Sequence, residues 1–69
     1  MFADELKRLR LKAGRTQEQV AVAARVSREY VSMLEAGKNM PTIDVFIRLC
    51  RAVRASPGAV ITRLEKTRK

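Results

Sequence analysis

Residues 16–37 constrain the fold of this 69-residue chain more than any other stretch. Their pattern predicts two short helices joined by a tight turn. Thr16 is a good N-cap, and Gln19 follows it at the spacing of a capping box. Ser27 is a second N-cap candidate, and Gly37 is a typical helix stop. The stretch is therefore expected to form a compact pair of helices.

Each of the two predicted helices, over residues 17–24 and 28–36, carries one apolar stripe. The stripe residues are Val20, Ala21 and Ala24 in the first helix and Val31 and Leu34 in the second. The small alanines let the helices approach closely. Such a pair is typical of a helix-turn-helix, whose second helix enters the DNA major groove, and also of an ordinary αα-hairpin in a helical bundle.

The rest of the chain predicts three further helices, over residues 2–13, about 43–53 and 57 to about 66. The first has a core stripe at helical spacing and stops at Gly14. The expected N-caps of the other two are Thr42 and Ser56. The predicted core stripe of the first consists of Phe2, Leu6, Leu9 and Ala13, and the predicted buried face of the second consists of Ile43, Phe46, Leu49, Cys50 and Val53. In the third, Val60, Ile61 and Leu64 lie on one side.

No alternating apolar–polar run of strand length appears in the sequence. The expected fold class is therefore all-α, with five short helices around one core. The chain length leaves room for only one domain, so residues 1–69 are expected to form a single unit.

The charge balance indicates an anionic partner. Fifteen lysines and arginines stand against seven acidic residues, for a net charge of +8 at pH 7. On so small a surface this excess favours nucleic acid as the partner, although charge that serves only solubility is the alternative.

Catalytic and metal-binding functions are not expected. The chain has no histidine, its carboxylates are scattered, and it has no glycine-rich phosphate loop or Cys/His metal spacing, so we expect no catalytic residues, metal or cofactor. The single cysteine, Cys50, lies in an apolar stretch and is expected to be a core residue in a reducing compartment. No secretory signal or membrane span is recognisable, so we expect a cytoplasmic protein that does not bind membranes.

The residues of the central stretch resemble the helix-turn-helix of the phage Cro and repressor family, also called the xenobiotic response element family. The resemblance rests on Gln17, Ala21, the pair Val26-Ser27 and the run Ser32-Met33-Leu34-Glu35-Ala36-Gly37. The run 27–32 is similar to restriction–modification controller proteins within that family. The resemblance covers roughly residues 4–65. It implies a lambda-repressor-like domain with a helix-turn-helix at about 16–37, and a DNA-binding transcriptional regulator.

The exposed side of the second helix, the recognition helix, is where helix-turn-helix proteins reach base edges. The expected base contacts are Arg28, Glu29, Ser32 and Met33. The expected DNA backbone contacts are Gln17, Thr16, Arg15, Ser27, Tyr30, Lys38 and Asn39. Alternatives stay open for three of these: Gln17 as a solvated first-turn residue, Tyr30 as a packing residue only, and Arg28 as a phosphate contact.

A short monomeric helix makes few DNA contacts, so we expect a homodimer on a palindromic operator. The expected dimer interface consists of Ile47, Val60, Ile61 and Leu64, unless all four belong to the core of the monomer. An alternative function is that of an antitoxin, which binds a protein toxin as well as DNA. A helical adaptor that never touches DNA is a weaker third possibility.

The resemblance also implies two structural details. The family often joins the positions of Arg10 and Glu35 by an ion pair. Arg25 and Arg54 stand at helix ends where the family usually has glycine in the left-handed conformation.

Overall fold

The computed structural model describes residues 1–67, which form five α-helices and no strand. The helices are α1 (Phe2–Lys12), α2 (Gln17–Ala24), α3 (Arg28–Glu35), α4 (Ile43–Ala52) and α5 (Pro57–Thr67). The expected all-α class and the order of the helices are confirmed. Every helix begins at the expected residue, α2 also ends at the expected residue, and the ends of the other four differ from the expected positions by one residue.

The core is built where the apolar stripes of the helices meet. α2 packs against both α3 and α4, while α1 packs against α3 and α5. The rings of Phe2 and Phe46 lie with their centroids 5.4 Å apart and join α1 to α4. The largest of the almost fully buried side chains are Leu6, Val20, Val31, Leu34, Leu49, Cys50 and Val60, and Ala21 and Ala24 are buried as well. The stripes predicted for α2 and α3 are therefore confirmed as core.

Side-chain caps fix the two helices of the central stretch. The Thr16 hydroxyl accepts a hydrogen bond from the backbone N–H of Gln19 (3.1 Å), and the side-chain Oε1 of Gln19 accepts one from the backbone N–H of Thr16 (2.9 Å). The Ser27 hydroxyl accepts one from the N–H of Tyr30 (3.0 Å). These bonds satisfy amides that would otherwise lack partners at the two helix starts.

Thr42 departs from the expected capping geometry. It occupies the N-cap position of α4, but its side chain caps no backbone amide. Its hydroxyl instead donates to Oδ1 of Asp44 at 2.6 Å, so the start of α4 lacks the cap bond that α2 and α3 have.

Arg25 and Arg54 both adopt the left-handed conformation, with φ of 62° and 59°. At the end of α2, the N–H of Val26 donates to the carbonyl oxygen of Ala21 at 3.0 Å. This bond ends α2 in the way that is usual for a helix followed by glycine, although Arg25 carries a Cβ atom. The turn between α2 and α3 therefore depends on a strained arginine.

The sequence prediction was wrong for two apolar residues in the second half of the chain, Ile43 and Val60. Ile43 was expected to be buried but is 67% exposed, because it begins α4 at the edge of the bundle and borders an open depression. Ile61 was expected at a dimer interface and is 49% exposed. Val60 was expected at a dimer interface but is only 2% exposed, because it packs into the core of the single chain.

Cys50 is a core residue, as expected. Burial raises the pKa of its thiol to about 11, because the thiolate would lose its hydration there. Within residues 1–67, no helix is both long and apolar enough to cross a membrane.

Candidate nucleic-acid interface

One side of α3 is buried and the other is open to solvent. Val31 and Leu34 are fully buried against the neighbouring helices. The four residues expected to contact bases lie together on the other side: Arg28, Glu29 and Met33 are exposed, and Ser32 is half-buried. The period of the helix thus separates a core face from a face that is available to a ligand.

The charged side chains at the start of α3 form no ion pair with any described residue. In the part of the chain that the structure describes, Arg28 has no carboxylate partner and Glu29 has no cationic partner. A guanidinium that is bound to no protein group keeps its donors for a ligand.

A hydrogen-bonded cluster holds α1, α2 and α3 in a fixed arrangement beside this face. The carboxylate of Glu35 accepts hydrogen bonds from Nε (2.6 Å) and Nη2 (3.0 Å) of Arg10, which confirms the expected ion pair. The same carboxylate accepts a bond from Nε2 of Gln17 at 3.1 Å. Arg10 also donates from Nη1 to the backbone carbonyl of Arg15 at 3.0 Å. The start of α2 is therefore held against the end of α3.

The cluster keeps Glu35 ionised. Its side chain is only 5% exposed, and this burial by itself would raise the pKa of the carboxyl. The hydrogen bonds from Arg10 and Gln17, together with the positive charges of Arg10 and Lys7, outweigh that effect, so the pKa lies below the ordinary value.

The residues expected to meet the DNA backbone surround α3. Thr16, Ser27 and Lys38 are exposed, whereas Arg15, Gln17, Tyr30 and Asn39 are half-buried. The backbone N–H of Lys38 donates to the carbonyl oxygen of Met33 at 3.0 Å, which fixes the turn after α3. The ring of Tyr30 packs against the core, so packing is at least part of its role.

Sequence reasoning missed an apolar depression on another side of the molecule. Met40, Ile43 and Ile61 are exposed around it, and its volume is about 310 Å³. The half-buried Leu64 also lines the depression, whereas Ile47 packs against the core. The pattern of α5 indicated Ile61 and Leu64, but no local signal indicated Met40, which lies in a loop.

Comparison with known proteins identifies relatives over nearly the whole chain. Residues 1–66 match the family described as "Helix-turn-helix domain". The chain is 35% identical over 67 residues to y4dJ of Sinorhizobium fredii, an uncharacterized HTH-type transcriptional regulator, and the match covers 97% of this chain and 87% of that protein.

Two solved structures share the arrangement of the helices. The clp gene regulator ClgR from Corynebacterium glutamicum superposes with a TM-score of 0.88 at 29% identity, over 96% of this chain and 70% of that one. The restriction-modification controller protein C.AhdI from Aeromonas hydrophila superposes with a TM-score of 0.79 at 28% identity, over 83% and 86% of the two chains.

Proposed function

The chain belongs to the helix-turn-helix family of DNA-binding transcriptional regulators of the Cro and repressor type, which are not enzymes, and on that premise we propose how it binds DNA. Residues 1–69 form one DNA-binding domain that acts as a homodimer on a palindromic operator, with α3 in the major groove. The observation that carries this proposal is the exposed face of α3, at whose start two charged residues form no ion pair with any described residue. The Glu35 cluster supports it, because the cluster fixes the orientation of α3 relative to α1 and α2, and a fixed recognition helix fits the groove in one geometry.

The exposed face of α3 reads the bases. The guanidinium of Arg28 has parallel donors that match O6 and N7 of guanine. Glu29 either accepts a hydrogen bond from N4 of cytosine or orients Arg28. Met33 offers apolar contact to a thymine methyl group, and Ser32 bonds either a base or a phosphate.

The residues around α3 hold the DNA backbone. One amide hydrogen of Gln17 is donated to Glu35. The other, together with the backbone amides at the start of α2, binds a phosphate. Lys38 and Asn39 follow α3 and meet the backbone on its other side. The remaining proposed backbone contacts are Arg15, Thr16, Ser27 and Tyr30.

The second copy of the chain covers the apolar depression. Met40, Ile43 and Ile61 expose apolar surface around it, and a symmetric dimer brings two such patches together. Leu64 extends the proposed interface. Val60 is left out of it because it is buried in the core of the single chain, and Ile47 because it does not line the depression.

Selection of bound sites from random duplex DNA tests the proposal as a whole. The purified full chain is expected to enrich one palindromic sequence with two half-sites about one helical turn apart. Recovery of no preferred sequence would contradict the proposal.

Binding by two variants separates base reading from backbone contact. Arg28→Ala is expected to lose about 1–3 kcal/mol on the selected site and to relax the preference at one base position in each half-site. Lys38→Ala should weaken binding to all sequences alike. If Arg28→Ala instead lowers every affinity by the same factor, Arg28 contacts phosphate and reads no base.

The dimer interface is tested by placing a charge in the depression. Ile61→Glu is expected to shift sedimentation at micromolar concentration from dimer to monomer while the circular dichroism spectrum stays unchanged. Leu11→Glu is the matched control, because Leu11 is similarly exposed but lies outside the depression. An equal shift in both variants, or in neither, would contradict this interface.

A further inference from the structure

Another groove lies between α1 and the start of α5. Unlike the apolar depression, it is lined by charged side chains. Its volume is about 430 Å³. Four cationic side chains line it, and they come from α1, the α4–α5 turn and α5: Arg8, Lys12, Arg54 and Arg63. The one carboxylate in its lining is that of Glu5.

The single carboxylate neutralises only part of this charge. Glu5 accepts a hydrogen bond from Nη2 of Arg8 at 2.7 Å and from Nε of Arg63 at 2.8 Å, so two guanidiniums share one negative charge. Lys12 and Arg54 form no ion pair with any described residue. The groove therefore keeps a clear excess of positive charge.

The groove lies on the side of α1 that faces away from α3. Arg10 points towards α3, where it binds Glu35. Arg8 and Lys12 are each two residues from Arg10, which places them about 200° around the helix. A ligand in this groove would therefore occupy a surface separate from the exposed face of α3.

The cations of the groove are distributed along its length. Arg63 lies six residues into α5 from Pro57, or about 9 Å along the helix axis, and Arg54 precedes that helix. Such a row suits a ligand that carries several negative charges along its length.

The groove has an apolar floor, since the remaining lining residues are mostly apolar and two of them, Val53 and Val60, are buried. The other apolar lining residues are Leu9, Ala13, Ala55 and Ala59. An apolar floor with a cationic rim complements an amphipathic segment with acidic flanks, and the phosphates of a nucleic acid backbone would leave that floor unused. We propose that the groove between α1 and α5 binds an acidic amphipathic helix of a partner protein.

The test uses the full chain and a labelled synthetic helical peptide of about the length of α1, with leucines on one face and glutamates on the other. Fluorescence anisotropy measures its affinity at about 0.15 M salt. The main variant is Arg54→Gly, because glycine suits the left-handed backbone there and the fold should be kept. Arg25→Gly is the matched control, because Arg25 has the same conformation but does not line the groove.

Arg54→Gly is expected to weaken peptide binding about fivefold, and Arg25→Gly to leave it within about twofold. Lys12→Ala should weaken it similarly, whereas Arg28→Ala on the α3 face should not. An oligoglutamate of equal charge should bind less tightly than the amphipathic peptide, because it cannot cover the apolar floor.

Four results would overturn the proposal. The first is no binding of the peptide, and the second is equal weakening by Arg54→Gly and Arg25→Gly. The third is equal binding of oligoglutamate, which would indicate attraction by net charge alone. The fourth is a short duplex DNA whose affinity falls in Arg54→Gly but not in Arg25→Gly, which would assign the groove to nucleic acid.

Discussion

Glu35 of α3 links three helices, since its carboxylate binds Arg10 of α1 and Gln17 of α2. Glu35→Gln leaves the nearly buried charge of Arg10 without its counter-ion. We expect the free energy of unfolding, measured with denaturant, to fall by about 2–3 kcal/mol. Asp44→Asn is the matched control, because the Asp44–Arg48 pair is exposed and its loss should change stability far less. Equal losses in the two variants would contradict this assignment.

The same cluster predicts a dependence of stability on pH. The folded state lowers the pKa of Glu35 below the ordinary value of 4.5. The contribution of the pair is therefore complete above the unfolded pKa and is lost as the pH falls through the folded pKa. The difference in unfolding free energy between wild type and Glu35→Gln should shrink as the pH falls below about 4.5. A difference that stays constant in acid would contradict the lowered pKa.

Arg25 stores backbone strain in the turn between α2 and α3. Arg25→Gly relieves that strain and should be neutral or stabilising by up to about 1 kcal/mol, measured as a change in melting temperature. The control is Arg51→Gly, which removes the same side chain from an ordinary helical backbone and should cost roughly 0.5–1 kcal/mol. A clear loss of stability in Arg25→Gly would show that the side chain itself holds the turn.

At the scale of the helices, α2 and α4 provide a comparison of two threonine N-caps. Thr16 accepts a hydrogen bond from the N–H of Gln19, whereas the side chain of Thr42 caps no amide. Thr16→Ala is expected to cost about 1 kcal/mol and to speed hydrogen exchange at the amide of Gln19. Thr42→Ala should cost less. The reverse order would mean that the cap bond of Thr16 contributes little.

The helices were predictable because their signals are local. Caps such as Thr16 and Ser27 lie next to the helices they begin, and the stripe of α2 follows from the helical period alone. Burial at helix ends was not predictable in this way, since the exposure of Ile43 depends on how α1 and α5 pack around the start of α4. The bond between Gln17 and Glu35 joins residues 18 positions apart, and no local pattern indicates it.

The candidate DNA-binding face was predictable for a different reason. The period of α3 placed Arg28, Glu29 and Met33 opposite its core residues, and the structure leaves all three exposed. The groove at Arg54 required the packing of α1 against α5, which no periodicity within one helix encodes.

At the scale of the whole molecule, the net charge of +8 predicts how DNA binding responds to salt. If several phosphates are contacted in each subunit, the logarithm of the association constant should fall with the logarithm of salt concentration by roughly 0.9 per phosphate. Lys38→Ala should reduce the magnitude of that slope by about one. A flat dependence between low and moderate salt would speak against DNA as the partner and favour a protein partner.

Because Cys50 is buried, this chain's single thiol can be used as a probe of how often the core opens. With a pKa of about 11, the thiol is protonated at neutral pH, and the closed core keeps alkylating reagents away from it. Its labelling rate therefore follows the fraction of molecules that are transiently open. Operator DNA or a second copy that binds only the folded chain should slow the labelling. The labelling rate of Cys50 therefore measures binding without any label added to the protein beforehand.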